Sequence, residues 1–187
     1  NVVGFFIRFL KPKTKAAICD MHPLYNTSNF ARELSTREGI ALYEVQHHFA
    51  HAMSVMAERD MTKAVAIVCD GAGYGFDGNV WGGEVLLLDF DANNFKRVGH
   101  IENFELIGGD LATRYPLRVL FSILRKTKHY ETLMDLYSRY LRKGESFQIL
   151  EKQLENDIGV VKSSSAGRYM DAISAMLKLC FHRTYEG

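Results

Sequence analysis

Cysteine is scarce: Cys19, Cys69 and Cys180 are the only three in 187 residues, an odd number with no CxxC pair. That excludes a disulfide framework and points to a reducing compartment, the cytoplasm. Long hydrophobic runs are missing too. No uninterrupted apolar stretch approaches the ~20 residues of a membrane-spanning helix. The opening NVVGFFIRFL is apolar but lacks a basic leader and a small-residue cleavage site, so it reads as a core helix or strand, not a signal peptide. No excess of one charge exists. The formal net charge is +1, which gives no electrostatic footprint for nucleic acid. Internal repeats and low-complexity segments are absent. What is present is a 47% hydrophobic composition. It supports a substantial core and excludes global disorder, in a length that suits one large domain or two small lobes. The chain starts at Asn rather than Met and stops at Thr-Tyr-Glu-Gly without a capping signal, as a piece of something longer would.

Hydrophobic periodicity changes style partway along. Residues 2–10 read as the end of a helix, with strand as the alternative, and KPK makes a turn. Ala16–Asp20 is a short buried strand, and Pro23 and Asn26 make residues 21–26 a loop. Ser28–Glu38 is predicted helical, capped by Thr27 or Ser28 and stopped by Gly39. Ile40–Val45 reads as a strand and residues 48–59 as a helix, with Phe49, Ala52, Met53 and Met56 on its apolar side. This strand–helix–strand–helix order predicts parallel βαβ pairing.

From Lys63 the pattern becomes a meander. Lys63–Cys69, Glu84–Phe90 and Phe95–Phe104 are strands joined by short Gly/Asp/Asn turns, with DANN at 91–94 marking a hairpin. Connections this short exclude a crossover, so the pairing must be antiparallel. After Gly108-Gly109 the chain is predicted helical over 114–127, 129–142 and 146–156, then extended or loop-like over 159–165. A last helix, Arg168–His182, places Met170, Ile173, Met176, Leu177 and Cys180 at core spacing. The domain organisation that follows is a first lobe over residues 1–62 and a second over 63–187, the latter with a helical insertion at 110–160.

Two segments carry chemistry. VQHHFAH, at 45–51, sets His47 and His51 four apart, on one face of a helix, where two imidazoles can share a metal ion. HxxxH alone equally describes surface or core histidines, and spacing identifies no third ligand. DGAGYGFDGNVWGGE, at 70–84, follows the apolar run KAVAIVC. Its glycines let backbone N–H groups approach a phosphate, with Asp70 or Asp77 beside a metal–phosphate complex. The alternative is a long hairpin needing positive φ, with Trp81 packed beneath it. A third segment, SSSAGRYMDA at 163–172, opens a helix on small hydroxylated residues. It is an anion site with Arg168 adding charge, or an ordinary N-cap. In GGDLATRYPLR, at 108–118, Asp110 and the arginines read as structural.

DMHPLYNTSNFA, VQHHFAHAMSVMAE, CDGAGYGFDGNVWGGE, GGDLATRYPLRVL and SSAGRYMDAISAML follow one another in an order that resembles the C-terminal region of the HypF carbamoyltransferases of nickel–iron hydrogenase maturation. The likeness spans roughly residues 16–181. The same region is similar to the universal tRNA threonylcarbamoyltransferases, which share HxxxH but carry a simpler loop. The long DGxGYGxDGxxWGGE form favours the hydrogenase-maturation branch. DMHP and YNTS stand here where DLHP and YxST are usual.

The resemblance implies an α/β, partial ASKHA (actin-like) fold: the back half of lobe one and the front half of lobe two. It implies ATP, in the form of carbamoyl-adenylate, and a divalent metal, iron or zinc. Carbamoyl phosphate and ATP would be the small-molecule substrates, and a HypE-type maturation protein the partner, carbamoylated on its C-terminal cysteine. His47 and His51 would be metal ligands. Asp70, Gly71 and Gly73 would face the phosphate, and Gly167 and Asp171 would lie on the ribose side. A third metal-ligating aspartate and a second nucleotide loop would follow Gly187, and adenylate-forming domains would precede the chain. No residue is singled out as acid, base or nucleophile. The rival readings are a non-catalytic nucleotide-binding module of the same fold and a tRNA-modifying relative.

Overall fold

The computed structural model describes residues 2–92, 94–128 and 130–184. Asn93 of the DANN hairpin, His129 at the head of a predicted helix, and the final residues 185–187 lie outside these. Residues 1–47 and 48–187 form two compact units.

In the first unit, α1 (Val2–Leu10) precedes β1 (Ala16–Asp20), α2 (Asn26–Glu38) and β2 (Ala41–Val45). β1 and β2 pair in parallel, from Ala16 opposite Ala41 to Asp20 opposite Val45, as the alternating strand–helix pattern predicts. α2 starts two residues earlier than expected, and neither Thr27 nor Ser28 caps it. Tyr25 is the N-cap, without a side-chain bond. The Ser28 hydroxyl is buried and donates to the Asp20 carbonyl at 2.8 Å, so it ties the helix to the end of β1 instead. Gly39 ends α2 at φ 64, its N–H returning to the Ser35 carbonyl, which is the left-handed stop a glycine supplies cheaply.

α3 (His47–Glu58) begins directly after β2. From His48 onward it belongs to the second unit, because Ala52 and Met56 pack on Val68, Leu86 and Leu88 of the sheet below. The sequence places the lobe boundary after this helix, at residue 62.

The second unit is built on β3 (Lys63–Tyr74), β4 (Val80–Asp89) and β5 (Asn94–His100), antiparallel in turn, so the predicted meander holds. Its third strand is shorter than expected. It stops at His100, and Phe104 opens a separate strand, β6 (Phe104–Ile107). β6 pairs antiparallel with β7 (Val160–Ser163), the segment predicted as extended or loop-like. β7 meets β4 in parallel at Val80 and Ser163, which fuses both parts into one sheet. The helical insertion comprises α4 (Asp110–Arg114), α5 (Leu117–Leu124), α6 (Tyr130–Tyr137), a 3-10 turn at Ser138–Tyr140, and α7 (Phe147–Glu155). The helix expected over 114–127 is shorter, α5 alone, and it starts after Tyr115-Pro116 because the residue before a proline is driven from helical geometry.

α8 (Ala166–Met176) ends six residues before the predicted His182. Its buried face is also not the predicted one. Met170, Met176 and Leu177 are exposed, whereas Arg168, Ala172 and Ala175 are buried. The two alanines join the core of Leu106, Ile107, Leu117, Val119, Leu120 and Phe121, where small side chains let α8 approach α5 closely. Arg118 secures the insertion: it donates to the Ile107 carbonyl and pairs with Glu145, both at under 3 Å and largely out of solvent. Among the described residues no helix is long and apolar enough to cross a membrane.

Candidate functional site

The glycine-rich segment is not a long loop. β3 runs through Asp70–Tyr74, and only Gly75–Asn79 form the turn into β4. Between Cys69 and Gly73 the register with β4 shifts, so Asp70, Gly71 and Ala72 form a bulge. Bulges re-aim side chains out of a sheet. Of the glycines from Gly71 to Gly83, Gly78 alone has a positive φ, 76°. The others mostly serve close approach. A Cβ on Gly82 would fall 2.6 Å from the Asp70 carbonyl oxygen, and one on Gly167 2.9 Å from the Gly71 Cα.

Asp77, expected beside a metal–phosphate complex, is instead committed to the turn. Its Oδ1 accepts from the Trp81 indole at 2.8 Å and from the Asn79 N–H at 3.1 Å. Burial alone would push its carboxyl up, but these bonds and Arg97 hold it below the usual carboxylate range. Trp81 does pack beneath the turn, buried, with the Arg97 guanidinium 4.1 Å above its ring.

Asp70 leads elsewhere. His47 and His51 are both on α3, one turn apart, and a carboxylate oxygen of Asp70 lies with a ring nitrogen of each within a 4.8 Å group. His51 Nε2 is 3.9 Å from Asp70 Oδ2, and the fully buried His48 Nε2 is 3.4 Å from the same oxygen. Two imidazoles and one carboxylate form a donor set suited to zinc or ferrous iron. Sequence spacing shows no third donor, and the family likeness puts one after Gly187. The fold brings Asp70 to the pair, because the bulge aims it at α3. Asp70, expected to face the phosphate or to stand beside a metal–phosphate complex, lies in this donor group.

A further contributor escaped the sequence reading. Asp20, the last residue of β1, accepts at 2.8 Å on Oδ2 from His47 Nδ1. A carboxylate oxygen accepts here, so Nδ1 is the donor nitrogen and Nε2 is the ring's acceptor or metal-donor nitrogen. The DMHP motif that begins at Asp20 was the available signal.

The predicted nucleotide residues assemble in part. Ser165 is the N-cap of α8, accepting from the Arg168 N–H at 3.0 Å, and its hydroxyl reaches the Gly71 carbonyl at 2.6 Å. The ordinary N-cap reading of SSSAG is therefore correct, and the cap also clamps α8 to the bulge. Gly71 and Gly167 meet backbone to backbone. Gly73 pairs with Trp81 in the ladder. Asp171, expected on the ribose side, is tied to Arg168 Nε at 2.7 Å and Arg183 at 3.1 Å. Burial raises its carboxyl and lowers Arg168, each toward the neutral form, although an arginine starts high enough to keep its proton.

Behind the bulge lies a buried ion pair. Glu84 accepts from the N–H groups of Gly82 and Gly83, from Ser164 and from Arg97. Burial opposes its charge, but these four donors hold its carboxyl below the usual range.

Comparison with known proteins agrees with this geometry. Residues 66–187 match the family model of the carbamoyltransferase Kae1-like domain, second subdomain, and residues 1–58 match that of the HypF Kae1-like domain. The chain is 45% identical over 177 residues to a probable carbamoyltransferase HypF of Methanocaldococcus jannaschii, covering 94% of this chain and 23% of that protein. It is 34% identical over 188 residues to carbamoyltransferase HypF2 of Cupriavidus necator, covering 100% of this chain and 23% of that one. The crystal structure of T. kodakarensis HypF superposes with a TM-score of 0.84 at 40% identity, over 99% of this chain and 25% of that one. A full-length HypF in a phosphate- and nucleotide-bound form superposes at 0.83 with 30% identity, over 100% of this chain and 28% of its own. The chain thus spans about a quarter of the length of the curated relatives it matches. Its mixed α/β architecture is the partial actin-like fold expected from the motifs. With both halves matched by that family's models and its fold reproduced in that family's structures, the chain belongs to the HypF carbamoyltransferases.

Proposed function

We propose that this chain is the transfer region of a HypF-type enzyme, which passes a carbamoyl group from carbamoyl-adenylate to the C-terminal cysteine of a HypE-type partner in the reducing cytoplasm. The observation that carries this reading is the joining of two features: the His47–His51–Asp70 donor group, and the bulge at Asp70–Ala72 clamped to the N-terminus of α8. A non-catalytic module would have no reason to keep a donor set beside an anion-type backbone.

In the proposed reaction the partner's thiolate attacks the carbamoyl carbon. The bond from that carbon to the phosphate oxygen breaks, and AMP leaves with the electron pair. ATP and carbamoyl phosphate are consumed earlier, in making the adenylate. The residues of this chain bind and orient. His47, fixed by Asp20, and His51 with Asp70 would hold the metal; Gly71 and Gly73 leave the backbone open to the phosphate; Gly167 brings α8 against it. A divalent metal there supplies positive charge that polarises an acyl or phosphoryl oxygen. Asp171, held by two arginines, is proposed to accept a ribose hydroxyl on an oxygen left free by those pairs.

The test is paired and uses full-length protein carrying this sequence. Carbamoyl-phosphate-dependent release of pyrophosphate from ATP, which reports adenylate formation, and carbamoylation of the partner cysteine, which reports transfer, are measured side by side. His51→Ala and Asp70→Asn should abolish the second by 100-fold or more and leave the first intact. If both activities fall together, or neither moves, the assignment fails. The tRNA-modifying alternative predicts instead that the same variants lose modification of tRNA and that the unaltered protein binds tRNA.

A further inference from the structure

The helical insertion carries a groove that carbamoyl transfer leaves unused. Side chains of α6 and α7 line a shared cavity of about 660 Å³. Its apolar lining is Met134, Leu141 and Phe147. The rest is acidic. Glu131 and Asp135 stand one turn apart on α6, and Glu151 and Glu155 one turn apart on α7. Like charges at this spacing repel. Asp135 and Glu155 also occupy the last turns of their helices, where the helix dipole disfavours a carboxylate. These two side chains therefore weaken the helices that carry them. Among the described residues Lys152 is the one cation of the lining, and Glu131, Asp135 and Glu155 take part in no ion pair.

Glu145 points independently to a donor from outside. It lines the same cavity, and its side chain is only 9% exposed. Its Oε1 accepts from Arg118 at 2.6 Å, but its Oε2 is buried and accepts no hydrogen bond. A buried carboxylate oxygen normally has a donor. No three of the groove's carboxylates crowd around one point as metal ligands do; among the described residues only His47, His51 and Asp70 form such a group. The negative charge is spread along two helices and suits an extended ligand. A polyamine would satisfy the carboxylates and leave Met134, Leu141 and Phe147 uncovered. A peptide segment with cations on one side and apolar side chains on the other satisfies both.

We propose that the groove between α6 and α7 docks a basic amphipathic segment of a partner protein, which lays apolar side chains on Met134, Leu141 and Phe147 and sets lysines or arginines against the carboxylates of both helices. One of these cations supplies the donor for Glu145 Oε2. Complementary charge along the groove selects basic segments and speeds their encounter. None of these residues belongs to the His47–His51–Asp70 group, so docking and carbamoyl transfer are tested separately.

The probe is a capped synthetic peptide, Lys-Leu-Ala-Lys repeated three times. One control replaces every lysine with glutamate and keeps the leucines. The other is spermine, which keeps the charge alone. Calorimetry with full-length protein carrying this sequence should give the basic peptide a dissociation constant at least tenfold lower than either control. Asp135→Lys on α6 and Glu155→Lys on α7 should each weaken the basic peptide tenfold or more. Both side chains are exposed and unpaired, and a lysine suits a last turn, so the melting temperature should hold or rise. Loss of peptide binding without loss of stability separates docking from a structural role. Equal binding of the basic and acidic peptides overturns the proposal. Spermine bound as tightly as the basic peptide overturns it too, by making the groove a polyamine site. So does either folded variant that keeps the affinity, since the peptide would then sit elsewhere.

Discussion

The smallest scale at which this molecule can be tested is the bond from His47 to Asp20. The metal-donor group takes two imidazoles from α3, but an imidazole swings about its χ2 bond and has two tautomers. The 2.8 Å contact to Asp20 fixes both at His47. Asp20→Asn preserves size and removes charge, and it can present an N–H to Nδ1, which would favour the other tautomer. Outer partners of this kind typically contribute about 10–100-fold in metal affinity. We expect Asp20→Asn to weaken zinc or ferrous-ion binding within that range while the far-ultraviolet circular dichroism stays unchanged. Affinity equal to that of the unaltered chain would show that the contact is incidental. Asp20 also illustrates what a sequence can and cannot display. HxxxH is visible because its two members are four residues apart in one helix. Asp20 and Asp70 lie 27 residues before His47 and 19 residues after His51, and only the end of a strand and a bulge bring them in.

At the scale of elements, the β3–β4 bulge, the N-terminus of α8 and the Glu84 pair make one unit. Glu84 is 1% exposed and accepts four bonds, two of them from the backbone of Gly82 and Gly83, which back the bulge. Removing one member of such a buried pair strands the other, a loss of about 3–5 kcal/mol. Arg97→Ala should therefore lower the melting temperature by roughly 5–20 °C, at about 2–4 °C per kcal/mol for a chain of this size. The pH dependence has a definite sign. Glu84 is ionised more readily in the folded chain than at its ordinary value of 4.5. The stability it adds is thus present above that pH and is lost as pH falls below it toward the depressed folded value. Glu84→Gln should flatten the acid limb of a stability–pH curve in that window, and an unchanged limb would show that other carboxylates govern it.

Gly167→Ala tests the same unit from the other side. It places a methyl 2.9 Å from the Gly71 Cα, backbone against backbone, where nothing can rotate away. Overpacking of this sort costs about 1–3 kcal/mol. It should also part α8 from the bulge, so AMP binding should fall more than zinc binding. Equal losses of the two would mean general unfolding.

These elements were only half legible. The parallel β1–α2–β2 unit and the meander followed from period and connection length, because both are local. The segment of β7 reads only as extended or loop-like, since four residues pairing with β6, more than 50 positions away, leave no local periodicity. The buried face of α8 was missed because alanines at a close helix contact carry little hydrophobic signal, whereas its methionines carry much and are exposed. The glycines of the 70–84 segment were read as one loop because glycine marks close packing and turns alike.

For the whole molecule, the decisive facts are length and uncovered surface. The chain spans about a quarter of the length of its curated relatives. β3 stands at the end of the sheet order, and its outward side chains Val65 and Ile67 are 66% and 78% exposed. On β1, Ile18 is 72% exposed, and on α1 Phe5 and Phe9 are at 55% and 71%. Apolar residues on an edge strand are what sheet proteins normally cover, pair or charge, because an open edge recruits other chains. Two outcomes follow for the 187-residue polypeptide taken by itself. Supplied with ATP and carbamoyl phosphate, it should release no AMP, since on the reading above the adenylate is made outside these residues. It should also self-associate at micromolar concentration or bind an apolar dye. The double change Val65→Lys and Ile67→Lys should suppress both behaviours with little loss of zinc binding, because neither residue belongs to the His51–Asp70 group. A chain that is monomeric and dye-free without those lysines would show that β3 is protected in a way its exposed side chains do not reveal. AMP formation from the chain alone would place the adenylate-forming step within these residues and overturn the division of labour proposed for the family.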